Sequence, residues 1–304
     1  MRKPNFFIVG APKCGTTAMH HYLAQHPDIF MCPVKEPEFF GSDHTMINRV
    51  AKSETEYLSL FAEAQNETRI GEASIWYLCS KNAASEIKEF CPFGKIIIML
   101  RNPVDMLFSL HRDLLYVGYE DIEDFEEAIE TMEVRKRGNY IPGAVNVVQG
   151  LSYRYVAQFH EQVKRYFDIF GKDNVRVIIL DDLKEDTAKV YQETLQFLDV
   201  NDDYQVELSP KNVGKRIRSK FVQKAAKEIW LNPTFQAFLD KMPNAVEHYF
   251  FEVFRFIRIK NSIRDGKLSP MKPTVRKRFQ LEFATEVEKL SELLNRDLSD
   301  WNQV

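Results

Sequence analysis

The strongest constraint sits near the N-terminus. There the apolar run Phe6-Phe7-Ile8-Val9 feeds Gly10-Ala11-Pro12-Lys13-Cys14-Gly15 and then Thr16-Thr17. A short apolar run bounded by turn formers reads as a buried strand. From Thr16 the pattern changes to that of a helix, with Met19, Tyr22 and Leu23 on one face. Its end is expected near His26-Pro27, because proline disfavours helix in the residue before it. Strand, glycine-bounded loop and helix, in that order, form the first half of a βαβ unit and point to a parallel sheet.

The loop also suggests chemistry. A helix start leaves its first amides without internal partners and presents the positive end of the helix dipole. Gly15 lets the backbone approach an anion, Lys13 adds a mobile positive charge, and Thr16 and Thr17 add hydroxyl donors. The octet reads as a phosphate cradle, set against the plainer reading of a structural loop with an exposed lysine. It differs from the nucleoside triphosphatase loop G-x-x-x-x-G-K-(S/T), where lysine follows the second glycine. Here Lys13 precedes Gly15, so its ammonium reaches from the start of the loop toward the far end of a ligand.

A second site follows the clearest strand in the chain, Lys95–Leu100, whose isoleucine-rich run suits a central parallel strand buried on both faces. Arg101-Asn102-Pro103 comes next, and Val104–Tyr116 reads as a helix with Pro103 in its first turn. Arg101 therefore stands at the carboxyl end of a strand, where open α/β sheets bind ligands, and a guanidinium can grip a phosphate through two bonds. Ser109, eight residues on, is a further donor to the same group. One cradle after the first strand and an arginine site after a later one suit a nucleoside carrying anionic groups at both ends.

Further helices are expected over Glu54–Ala64, Asn82–Glu89, Glu120–Glu133, Tyr153–Phe170, Val190–Leu198 and about 272–294, and a strand over Asn174–Leu180. Residues 28–75 read as mostly irregular, with Gly71–Ser74 a short strand end, and the acidic run Glu120–Glu133 as a solvated helix face. Beyond residue 215 the pattern is helical and aromatic. The simplest architecture is one α/β domain spanning residues 1–304, with a central parallel sheet flanked by helices and a helical C-terminal region.

Composition removes several function classes. Lysine and arginine number 41 against 44 acidic residues, which argues against a nucleic-acid partner. The cysteines Cys14, Cys32, Cys79 and Cys91 match neither a C-x-x-C nor a zinc spacing and read as free thiols of a reducing compartment. The leading apolar run is too short for a signal peptide, and no apolar stretch is long enough for a transmembrane segment, so a cytoplasmic location is expected. The 23 Phe and 12 Tyr imply an aromatic core and aromatic walls for any ligand pocket.

Taken together, the chain resembles the sulfotransferase family. Phe7–Leu23 resembles its 5′-phosphosulfate loop, and Ile96–Ser109 its 3′-phosphate segment with R-x₇-S spacing. Lys35-Glu36-Pro37-Glu38-Phe39-Phe40 is similar to the K-E-P-x-F-F segment of the bacterial and heparan-type branch. Asp181-Asp182-Leu183, Phe197-Leu198-Asp199-Val200 and Leu294–Trp301 resemble later segments, with Asp199 in place of the usual glycine.

The resemblance implies a P-loop-like three-layer fold and a PAPS (3′-phosphoadenosine-5′-phosphosulfate) donor, with adenosine 3′,5′-bisphosphate as product and no metal. The sulfuryl group would pass in line to a hydroxyl or amine of a glycan, glycolipid or small-molecule acceptor. Lys13, Cys14, Gly15, Thr16 and Thr17 would hold the 5′ end, with Lys13 on the leaving oxygen; Arg101 and Ser109 would hold the 3′ phosphate. The basic loop Lys211–Arg216, through Asn212, Gly214 and Lys215, is a further nucleotide contact, or equally a solvated turn. Glu36 matches the position of the branch's catalytic base, against the alternative of a loop carboxylate paired with Lys35; Glu72 in Gly71-Glu72-Ala73-Ser74 is the reserve. Glu72, Tyr153 and His111 are candidates for the acceptor cleft. The competing readings are a P-loop nucleotide kinase-like phosphotransferase and an inactive nucleotide-binding protein of the same fold.

Overall fold

A computed structural model describes residues 2–46, 49–143, 145–209, 216–239, 241–242, 249–250, 253–254, 256–257, 259–263 and 270–303. Its centre is a five-stranded, all-parallel sheet in the order β2-β3-β1-β4-β5, formed by β1 (Phe6–Gly10), β2 (Ile29–Met31), β3 (Arg69–Ala73), β4 (Lys95–Leu100) and β5 (Val175–Ile179). The expected parallel sheet flanked by helices is therefore present. Strand β1 is central and buried along its whole length, and β4 is buried from Ile96 to Leu100. Continuous apolar runs of this kind follow from burial on both faces, which leaves no solvent side for polar alternation.

The helices in chain order are α1 (Thr16–Leu23), α2 (Glu54–Ser59), α3 (Ala83–Phe90), α4 (Pro103–Val117), α5 (Phe125–Glu130), α6 (Met132–Lys136), α7 (Tyr153–Val156), α8 (Phe159–Phe170), α9 (Leu180–Glu185), α10 (Thr187–Phe197), α11 (Lys220–Trp230), α12 (Pro233–Leu239) and α13 (Pro273–Leu294). Chain packing divides them between two compact units. The first, residues 1–109, 147–212 and 272–304, holds the sheet. The second, residues 110–146 and 213–271, holds α5, α6, α11, α12 and a two-stranded antiparallel pair, β6 (Arg216–Ile217) with β7 (Ser262–Ile263).

Three expectations need correction. The segment read as irregular contains β2, short enough to escape a pattern search but paired to β3 from Ile29 to Met31. The expected helix Tyr153–Phe170 is broken into α7 and α8, because the Gln162 amide donates to the Tyr155 and Val156 carbonyls at the end of α7. The acidic run is not a single solvated helix: Asp124 caps a helix that starts only at Phe125, and Glu120 is buried. The Glu120 carboxylate accepts two bonds from Arg135, at 2.6 and 2.7 Å, and further bonds from the Asp121 and Ile122 amides.

Candidate active site

The site is built at the carboxyl ends of three neighbouring strands, β3, β1 and β4, where parallel sheets leave a crevice for ligands. The β1 loop occupies the middle. Gly10 has φ +123°, and a Cβ there would lie 2.4 Å from the Ile75 carbonyl oxygen, so no side chain fits. Gly15 is the left-handed N-cap of α1 (φ +90°), and no side chain caps the helix there. The first amides of α1 therefore keep the anion-binding capacity that a serine or aspartate cap would consume. Lys13 is half-buried and also left-handed (φ 61°).

On one side, directly after β4, stands Arg101. Its guanidinium lies 4.0 Å from Asp105, itself held by Arg276 at 2.5 Å. Asn102 caps the next helix by accepting from the Val104 amide at 3.0 Å, and its own amide donates to the Trp301 carbonyl. Ser109 lies further along α4 and is half-buried. The buried Cys14 thiol donates to the Pro12 carbonyl within the β1 loop. Burial pushes its pKa up to about 12, while the charges of Arg101 and, more weakly, Lys13 pull it down. Cys14 is thus an inert thiol.

On the other side, the Lys35–Gly41 loop, which follows β2, packs at the carboxyl end of β3. The Glu36 amide donates to the Ala73 carbonyl at 2.9 Å, and the Glu38 amide to Ser74 Oγ at 3.2 Å. Tyr77 Oη accepts from the amides of Phe39 and Phe40 at 2.8 and 3.2 Å. Arg49 donates to the carbonyls of Glu38, Phe39 and Gly41. Glu36 and Glu38 take φ of 62° and 51°. Left-handed backbone at such residues costs roughly 1 kcal/mol or more each and persists only where the surroundings over-determine it. Lys13, Glu36 and Glu38 are three of the six non-glycine residues with positive φ among the described residues, and all three lie in these loops.

Three carboxyl groups belong to this loop and to the strand it packs on. Glu36 is paired to Lys35, Nζ to Oε1 at 2.5 Å, and keeps its side chain 33% exposed. Glu72 on β3 is fully buried; it accepts from Tyr57 Oη at 2.9 Å and Ser74 Oγ at 3.2 Å, with Tyr77 also bonded to it. Burial raises its pKa to about 7 against those hydrogen bonds. Glu38 is raised further, to about 8, by burial and by the neighbouring Glu36. Sequence reasoning overlooked Glu38, Tyr57, Ser74 and Tyr77; only the second acidic residue inside Lys35–Phe40 hinted at this cluster.

The structure therefore brings Lys13, Cys14, Gly15, Thr16, Thr17, Arg101, Glu36 and Glu72 to one edge of the sheet. Tyr153 is completely buried at the start of α7. His111 is buried too; its Nε2–H donates to the Ile122 carbonyl at 2.8 Å, and burial lowers its pKa. Asn212, Gly214 and Lys215 lie outside the described residues. All four cysteines are unpaired. Among the described residues, no helix is long and apolar enough to cross a membrane.

Comparison with known proteins points to one family. A model of the sulfotransferase domain matches residues 3–241. The membrane-associated sulfotransferase kil1 of Dictyostelium discoideum is 36% identical over 107 residues, covering 35% of this chain and 22% of that protein. Carbohydrate sulfotransferase 15 of Mus musculus is 30% identical over 169 residues, covering 41% of this chain and 30% of that protein. The chain thus spans less than a third of either relative's length. A crystal structure of a sulfotransferase from Alicyclobacillus acidocaldarius aligns over 100% of both chains, with a TM-score of 0.72 and 29% identity.

Proposed function

The chain belongs to the sulfotransferase family, and from that premise we propose that it transfers the sulfuryl group of PAPS to a hydroxyl or amine of a glycan, glycolipid or small-molecule acceptor. The observation that carries this reading is that the Lys13 loop and Arg101 directly follow two adjacent parallel strands, β1 and β4, at the same end of the sheet. A ligand with anionic groups at both ends of one nucleoside suits that pair. Lys13 and the amides of Thr16 and Thr17 hold the 5′ end, and Arg101 with Ser109 the 3′ phosphate. In the transfer, the bond from sulfur to the 5′-phosphate oxygen breaks as the acceptor oxygen or nitrogen bonds to sulfur. The acceptor's proton passes to Glu36, and Lys13 stabilises charge on the departing oxygen. Glu36 is preferred to Glu72 as base because its carboxylate reaches solvent while that of Glu72 is enclosed. The free thiols support a cytoplasmic site of action.

Two measurements test the reading. Adenosine 3′,5′-bisphosphate raises the melting temperature without Mg²⁺, and Arg101→Ala weakens its binding roughly tenfold to a hundredfold. A preference for Mg·ATP would support the kinase-like alternative. Labelled PAPS with a panel of carbohydrate and phenolic acceptors gives a sulfated product. Glu36→Gln lowers its turnover by about 10²- to 10⁴-fold while nucleotide binding stays intact. Nucleotide binding with no transfer to any acceptor would favour the inactive descendant, and undiminished turnover of Glu36→Gln would remove Glu36 as base.

A further inference from the structure

Two arginines at the end of β4 share one carboxylate. Arg101 is the first residue after the strand, and Asp105 lies in the first turn of α4. Arg276 comes from the far end of the chain, at the start of α13. Its Nη2 donates to Asp105 Oδ1 at 2.5 Å, whereas Arg101 Nη2 stands 4.0 Å from Asp105 Oδ2. The second distance is too long for a hydrogen bond. Asp105 is thus committed to Arg276 and does not consume the donors of Arg101. Packing fixes this arrangement. The Asn102 amide donates to the Trp301 carbonyl at 2.9 Å, and the Gln280 amide, one turn beyond Arg276, donates to the same carbonyl at 3.3 Å. Asn102, Gln280 and Trp301 are all buried. These bonds tie α13 and the last turn of the chain to the start of α4, so Arg276 reaches Asp105 from a fixed base.

A phosphate bound at Arg101 brings negative charge toward Asp105. A carboxylate with no other partner would repel that phosphate and would compete with it for the guanidinium. Arg276 removes both penalties, because it neutralises Asp105 and occupies the carboxylate. We propose that Arg276 is a positioning residue of the nucleotide site, which holds Asp105 so that Arg101 is left to the 3′ phosphate. This role rests on the reading, proposed above, that Arg101 binds that phosphate. The side chains of Arg101, Asp105 and Arg276 are 25%, 30% and 33% exposed, so water and salt screen part of the interaction and the effect on affinity is moderate.

Calorimetric titration of the full chain tests it, with adenosine 3′,5′-bisphosphate and with adenosine 5′-monophosphate, which lacks the 3′ phosphate. Arg276→Ala weakens binding of the bisphosphate by roughly threefold to tenfold and leaves the monophosphate within about twofold. Arg276→Lys keeps the charge and restores most of the affinity. Asp105→Asn added to Arg276→Ala also restores it, since no carboxylate then competes for Arg101. Equal weakening of both nucleotides by Arg276→Ala overturns the proposal and leaves Arg276 a structural residue. A double variant no tighter than Arg276→Ala overturns it as well, and makes Arg276 a direct contact to the ligand. Arg101→Ala separates this role from the reading beneath it. Selective weakening of the bisphosphate by Arg101→Ala but not by Arg276→Ala removes the positioning role alone. No selective weakening by Arg101→Ala removes the 3′-phosphate assignment, and the positioning role with it.

Discussion

Two aromatic clusters, one in each compact unit, show how the same residue types serve different ends. In the first unit, Phe40 and Tyr57 meet Phe39, Tyr77, Phe61 and Phe90, and Tyr57 stacks on Phe39 at 4.4 Å. Phe40, Tyr57, Phe61 and Tyr77 are buried, and the two tyrosine hydroxyls serve the Lys35–Gly41 loop and Glu72. In the second unit the rings around Phe235 touch one another but remain partly in solvent. The first cluster is a pedestal that holds carboxyl groups and strained backbone in place. The second has contact area without enclosure, so its rings remain available to a partner.

Truncating a ring should separate them most sharply. Tyr57→Ala removes a fully enclosed ring and a hydrogen bond to a buried carboxyl, and should cost about 3–5 kcal/mol in urea denaturation. Phe238→Ala should change stability by no more than about 0.5 kcal/mol. Equal losses would mean that the second cluster is also a core.

The two units should also respond oppositely to acid. Glu72 and Glu38 retain protons up to about 7 and about 8, whereas an unfolded glutamate releases its proton near 4.5. Their contribution to stability is therefore complete below pH 4.5 and is lost as pH rises through 7 to 8. Glu120 has the reverse sign. Burial would raise its pKa, but the bonds from Arg135 and two amides outweigh that and lower it. Its contribution is present above the ordinary value of 4.5 and is lost as pH falls below it. Melting temperature against pH should show Glu72→Gln flattening the loss on the neutral side and Glu120→Gln removing stability only above the acid range. Matching profiles for the two variants would break the contrast.

The smallest effect separates rings from charges as the source of rigidity in the first unit. The Lys35–Glu36 pair is partly solvated, so Lys35→Ala should shift stability by less than about 1 kcal/mol. A loss as large as that of Tyr57→Ala would move the anchor of this loop from its rings to its ion pair.

Strands β1 and β4 were legible because double burial leaves an uninterrupted apolar run, and both segments proposed to hold phosphate directly follow such runs. Helix α13 was legible from its periodicity nearly to the residue. Strand β2 was not: three residues carry no periodicity, and pairing with β3 supplies the reason for the conformation. The break at Gln158 was hidden for a similar reason, since a side-chain amide several residues later satisfies the carbonyls that a continuous helix would use. Glu120 looked like one more solvated acid, because its partner Arg135 is brought to it by folding.

Local order along the chain was enough to specify the parallel sheet, the uncapped helix start behind Lys13 and an arginine at a strand end, because each depends on neighbours within a few residues. Which carboxyl group is enclosed and which meets solvent depended on long-range packing. Glu36, Glu38 and Glu72 share one chemistry, and the approach of Tyr57 to Glu72 and of Ser74 and Tyr77 to the Lys35–Gly41 loop distinguishes their surroundings. Desolvation is a property of what folds over a group, and short-range sequence does not encode it.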